Sequence, residues 1–161
     1  MSTIQYTYSL RVATHLNNTG VSLIQKGCFV QALTTFGDAI SVIKDISSCA
    51  EDGARLQEMV RSAAQRSSQP LSSGSTKSRV TLEVLSDFDD LPPQCSTHST
   101  YYLIRMESLE FEAPTKNHLS ITASQVFYNF GVAYRCISFL QGTEASKKTY
   151  TENAMLMFDL A

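Results

Sequence analysis

Apolar residues recur at helical spacing in two separated parts of the chain. In the first, Val12, Leu16, Leu23 and Ile24 fall on one face. Phe29, Ala32, Leu33, Phe36, Ala39, Ile40 and Ile43 then repeat at intervals of three and four. Lys26, Gly27 and Cys28 separate the two runs. The pattern predicts an antiparallel helix hairpin over residues 11–46 with a very short turn. A third helix is expected over residues 50–65, where Leu56, Met59, Val60 and Ala63 line one face. Residues 62–78 are rich in Ser and Thr and carry little apolar surface to offset the entropy of ordering, so they read as a flexible loop.

The period then changes. Val80, Leu82 and Val84 alternate, and so do Tyr102, Ile104 and Met106 before the pattern shifts to Leu109 and Phe111. With the acidic turn between them, these segments predict a β-hairpin over residues 79–112, its second strand bulged. Helical spacing returns over residues 120–141 with Val126, Phe127, Phe130, Tyr134, Ile137 and Leu140. Thr122 and Gln125 have capping-box spacing, and Gly142 suits a C-terminal cap. After a polar stretch, a last helix is expected from near Glu152, still running at Ala161, as in a fragment of a longer chain.

Two glycines sharpen this picture. A glycine inside a helix costs about 1 kcal/mol relative to alanine. Gly20 is expected to let the second helix press a small residue, Ala32, against the first. Gly27 is expected to end the first helix in a left-handed conformation. Together, Leu16, Asn18, Gly20, Leu23, Gly27, Phe29, Ala32, Phe36 and Ala39 resemble the tetratricopeptide (TPR) repeat in type and spacing. Thr19 replaces an apolar residue of that pattern, and Lys44 stands where proline often closes the repeat. A second copy follows. Phe127, Asn129, Phe130, Gly131 and Tyr134 match Leu16, Asn18, Thr19, Gly20 and Leu23, while Ala154, Phe158 and Ala161 match Ala32, Phe36 and Ala39. The second half of this copy arrives about eleven residues late, which predicts an expanded turn between its helices. The resemblance covers residues 11–46 and 120–161, a second and truncated hairpin, with residues 47–119 as an insertion. Fewer than three repeats rarely make a stable solenoid, so further repeats are expected beyond the second.

The resemblance implies a mainly α-helical, TPR-like module of α-solenoid type, with an inserted β-hairpin and a Ser-rich loop, that acts as a protein–protein interaction scaffold rather than an enzyme. Stacked hairpins form a concave groove for a peptide or a partner helix. By analogy the groove is lined by Thr14, Asn17, Asn18, Val21, Ile24 and Gln25, and by Gln125, Tyr128, Asn129, Val132 and Arg135. Asn18 and Asn129 match the asparagine that in many family members bonds the backbone of a bound peptide; local bonding or solvation is the alternative for each. One subclass of the family holds acidic tails with lysine and arginine. Here only Arg135 is basic, which argues against that specificity. The open helical end also offers a route to self-association. The alternative reading is a helical regulatory or accessory domain of a larger enzyme or assembly.

Composition narrows the remaining choices. The 161 residues are 43% hydrophobic and carry a formal charge of −2, which argues against a nucleic-acid surface. No apolar run suits a membrane span, and no secretory signal opens the chain. Cys28, Cys49, Cys95 and Cys136 are scattered, as expected of free thiols in an intracellular protein, cytoplasmic or nuclear. His15, His98 and His118 are the only histidines. Cys95 and His98 have a metal-like spacing without a second ligand pair, so no metal site is expected. Asp87, Asp89 and Asp90 lack the glycine and glutamate of a calcium loop. Asn17-Asn18-Thr19 is a formal glycosylation sequon inside a helix. No motif calls for a cofactor. Phosphorylation of the Ser-rich loop, near Arg61, Arg66, Lys77 and Arg79, is a regulatory option weighed against an unmodified insertion.

Overall fold

The computed structural model describes residues 3–48, 53–68, 103–106 and 116–161, and these are mainly helical. Helix α1 spans Thr3–Gln25, α2 Phe29–Ser48, α3 Gly53–Ser68, α4 Lys116–Leu140 and α5 Glu144–Asp159. No β-strand occurs among the described residues. The expected first strand, its turn and the loop residues 69–78 lie outside them. Of the expected second strand, residues 103–106 are described and lie in no sheet.

α1 starts a full two turns before residue 11 because Tyr6 and Leu10 continue its buried face; Leu10 is 1% exposed. At its other end Gly27 takes φ 75°. Its N–H donates to the Ile24 carbonyl at 2.9 Å and the Cys28 N–H to the Leu23 carbonyl at 2.8 Å. This is the paired-bond ending that a left-handed residue permits, and it turns α2 back along α1.

Gly20 faces the ring of Phe36. A Cβ at Gly20 would stand 2.6 Å from Phe36 Cε1. The second hairpin repeats the relationship, since a Cβ at Gly131 would stand 2.6 Å from Phe158 Cε1. The extra residues of this hairpin are not in its turn, which is residues 141–143 against residues 26–28 in the first. Instead α4 continues about one turn further past Gly131, and α5 begins about two turns further ahead of Phe158. Whole turns return a helix to nearly the same rotational setting, so the glycine and the ring still meet. α5 therefore starts at Glu144 rather than near Glu152. Thr143 caps it, with φ −114° and ψ 138°, its Oγ1 accepting the Ser146 N–H at 3.3 Å. The cap lies in a polar stretch with few apolar markers, which hid it from periodicity alone. The helix ends at Asp159, and Ala161 is exposed beyond it rather than packed as Ala39 is. Thr122 is not a cap either: it is buried within α4, which starts a turn and a half earlier. Gly142 follows α4 without a positive φ.

The two hairpins pack through α2 and α4. Phe36 meets Phe130 at 6.1 Å between ring centres, and the contact continues through Tyr134 at 4.8 Å to Tyr150 at 6.2 Å. α3 lies on the other side of the first hairpin, chiefly against α1, and does not touch α4. It buries Leu56 and Ala63. Its ends are tied to α2: Arg55 bonds Asp45 at 2.9 Å and Ser41, while Arg66 bonds Thr35 at 3.0 Å and Asp38 at 2.5 Å. Lys26 donates to the Ser67 carbonyl at 2.9 Å, a cation at the negative end of α3. Thus residues 62–65, placed by the spacing in both the third helix and the loop, belong to the helix, and residues 66–68, expected in the loop alone, are its last turn. Arg61 and Arg66 are engaged with Glu58 and Asp38.

In space the order is α3, then the α1–α2 hairpin, then the α4–α5 hairpin. Residues 103–106 fall between α3 and α4 in the sequence.

Candidate functional site

α1 and α4 meet at two buried asparagines. Asn129 Nδ2 donates to Asn17 Oδ1 at 2.9 Å, and both side chains are 0% exposed. A buried carboxamide is costly unless both its ends find partners. Residues 103–106 supply the remaining partners. Asn129 Oδ1 accepts the Ile104 N–H at 2.9 Å, and its Nδ2 also donates to the Ile104 carbonyl at 2.7 Å. Asn17 Nδ2 donates to the same carbonyl at 3.1 Å and to Asn18 Oδ1 at 3.3 Å.

Asn18 treats Met106 as Asn129 treats Ile104. Its Oδ1 accepts the Met106 N–H at 2.9 Å and its Nδ2 donates to the Met106 carbonyl at 2.6 Å. A carboxamide carries a donor and an acceptor in one plane, so it can pair with both polar groups of one residue. In extended backbone those groups point the same way at every second residue. Two asparagines on neighbouring helices therefore hold residues 104 and 106 and leave the side chain of 105 free to project elsewhere.

The side chains complete the contact. Met106 is buried, and Leu103 packs against the core. Arg105 is exposed, yet its Nη2 donates to Ser22 Oγ at 3.0 Å and Gln25 Oε1 at 2.7 Å, one and two turns beyond Asn18 on α1. Ser22 in turn donates to the Asn18 carbonyl at 3.0 Å.

Of the residues expected to line the groove, the structure gathers Asn17, Asn18, Gln25 and Asn129 around this segment. Val21, Ile24 and Val132 are buried core residues. Thr14 is also buried, and its Oγ1 has no hydrogen-bond partner among the described residues. Gln125 is half-buried on α4. Tyr128 and Arg135 turn toward α5 rather than the segment: Tyr128 packs on Phe158 at 5.7 Å, and Arg135 donates to Thr151 Oγ1 at 3.1 Å while lying 4.5 Å from the Phe139 ring centre. The residues missed by the sequence reading are Ile104, Arg105, Met106 and Ser22. Their signal was the alternation within residues 101–111, which marked extended backbone but not its partner.

Burial pushes the Cys136 thiol up to about 12. Burial, and then the neighbouring Tyr150, raise Tyr134, and burial raises Tyr6. No group of three or more His, Cys, Asp or Glu side chains that could hold a metal occurs among the described residues, and no described helix is long and apolar enough to cross a membrane. Cys95, His98 and the Asp87–Asp90 cluster lie outside the described residues.

Comparison of the chain with protein-family models, with curated proteins and with solved structures found no match to any of the three.

Proposed function

We propose that this chain is a TPR-like interaction module whose groove between α1 and α4 binds extended polypeptide through its backbone. One observation carries the reading. Asn18 and Asn129, at matching positions of the two hairpins, each pair with both the N–H and the carbonyl of one residue, and those two residues, Met106 and Ile104, stand two apart. The repeated glycine-on-phenylalanine contacts support the TPR-like description. Recognition of this kind takes affinity from main-chain bonds and specificity from the alternate side chains. The module acts as a scaffold for a protein partner rather than as a catalyst. The exposed Met155, Leu156 and Leu160 on and just beyond α5 suit the expected self-association or a further hairpin.

The test is a selection from a displayed peptide library. The bait is the chain carrying Ile104→Pro and Met106→Pro, which removes the two N–H groups that the asparagines accept. The same bait with Asn18→Ala and Asn129→Ala is the control, after both show equal helicity. Peptides retained by the first and lost by the second are the expected result. Absence of any asparagine-dependent peptide from a folded bait would contradict the reading.

A further inference from the structure

The groove is already filled, and by this chain. Every described hydrogen bond of the Ile104 and Met106 backbone goes to an asparagine side chain, none to another backbone group. A segment held in this way is bound as a ligand is bound. Resting on the groove reading above, we propose that residues 103–106 are a resident, exchangeable ligand, and that they display the chemistry of the partner: an extended peptide with a basic residue between two apolar ones.

The side chains define that chemistry. The buried Met106 and the half-buried Ile104 fix the apolar positions flanking the basic one. Arg105 fixes the basic position, because Ser22 Oγ and Gln25 Oε1 both offer acceptors where its guanidinium reaches. Ser22 gives its own proton to the Asn18 carbonyl at 3.0 Å, so its oxygen is left as an acceptor for a cation at position 105.

Tethering sets the competition. A segment carried on the same chain as its site competes as an intramolecular ligand, at an effective concentration that a free peptide must match. A partner peptide in trans must therefore displace the resident segment, and its apparent affinity is lowered by that competition. The resident segment thus tunes the threshold at which the groove opens to a partner.

The experiment titrates a fluorescent peptide with the sequence of residues 101–111 into the intact chain and into the Ile104→Pro, Met106→Pro chain. The expected result is binding to the second at least tenfold tighter than to the first. It should be lost when Asn18→Ala is added and weakened about tenfold when the peptide's arginine is replaced by glutamate. Equal, Asn18-dependent binding to both chains would overturn the resident-ligand inference while leaving the groove reading standing. A folded proline variant that binds no peptide would overturn both. Should the proline variant fail to fold, amide exchange at residues 103–106 of the intact chain decides. Faster exchange in millimolar peptide supports displacement, and unchanged exchange shows a permanent part of the fold.

Discussion

The carboxamide of Asn18 meets both polar groups of the Met106 backbone, accepting its N–H at 2.9 Å and donating to its carbonyl at 2.6 Å. An aspartate at position 18 would keep the acceptor and lose the donor, setting a carboxylate oxygen against the Met106 carbonyl. Asn18→Asp is expected to cost about 1 kcal/mol. Asn129→Asp is expected to cost about 3 kcal/mol, because Asn129 Nδ2 serves two acceptors in a fully buried setting. A protonated carboxyl regains one donor, so the Asn129→Asp penalty should shrink as pH falls. Urea unfolding of both variants at neutral and mildly acidic pH checks the order and the trend.

The two glycine contacts make a paired prediction. Alanine at position 20 or at 131 would bring a methyl group to 2.6 Å from a phenylalanine ring carbon. Each substitution is expected to destabilise by about 1–3 kcal/mol, although alanine favours helix elsewhere. Gly20→Ala combined with Phe36→Leu should recover part of the loss. Thermal melts of the single and double variants measure it.

Alkaline pH should weaken the fold. Cys136 has its ordinary value of 9.0 when unfolded and about 12 when folded, because burial disfavours the thiolate. The native state therefore binds more protons than the unfolded state between these values. Stability from this group is complete below pH 9 and is lost as pH rises toward 12. Tyr6 and Tyr134 shift in the same direction and reinforce the loss. The midpoint of thermal unfolding should fall above pH 9, and by less in a Cys136→Ala variant.

Thr14 makes the opposite kind of prediction. Its hydroxyl is buried without a partner among the described residues, and a buried unpaired hydroxyl carries a desolvation cost of about 1–3 kcal/mol. Thr14→Val replaces it with a methyl group of similar size and should raise the melting temperature. A fall would show that the hydroxyl is used.

Much of the hairpin geometry was legible in residue spacing, because burial imposes it. Gly27 ends α1 in the left-handed conformation that its place between two apolar runs implied. The length of α5 was not legible. Whole helical turns were added in polar sequence, where Thr143 and Glu144 mark the start but few apolar residues mark the face. α3 was only partly visible, since Arg66, which fastens its last turn to α2, belongs to a serine-rich stretch. Asn18 and Asn129 stood out as a matched pair. Their common target did not, because hydrogen bonds from side chains to an extended backbone leave no periodic trace on the donor helices. The alternation at Ile104 and Met106 suits a strand and a groove-bound segment equally well.

Amide hydrogen exchange at residues 103–106 of the unmodified chain tests the central claim most directly. The asparagine clamp requires that the Ile104 and Met106 amides be protected and the intervening Arg105 amide be fast, with protection lost in the Asn18→Ala, Asn129→Ala variant. Uniformly fast exchange across the segment, or protection that survives removal of both asparagines, would contradict it.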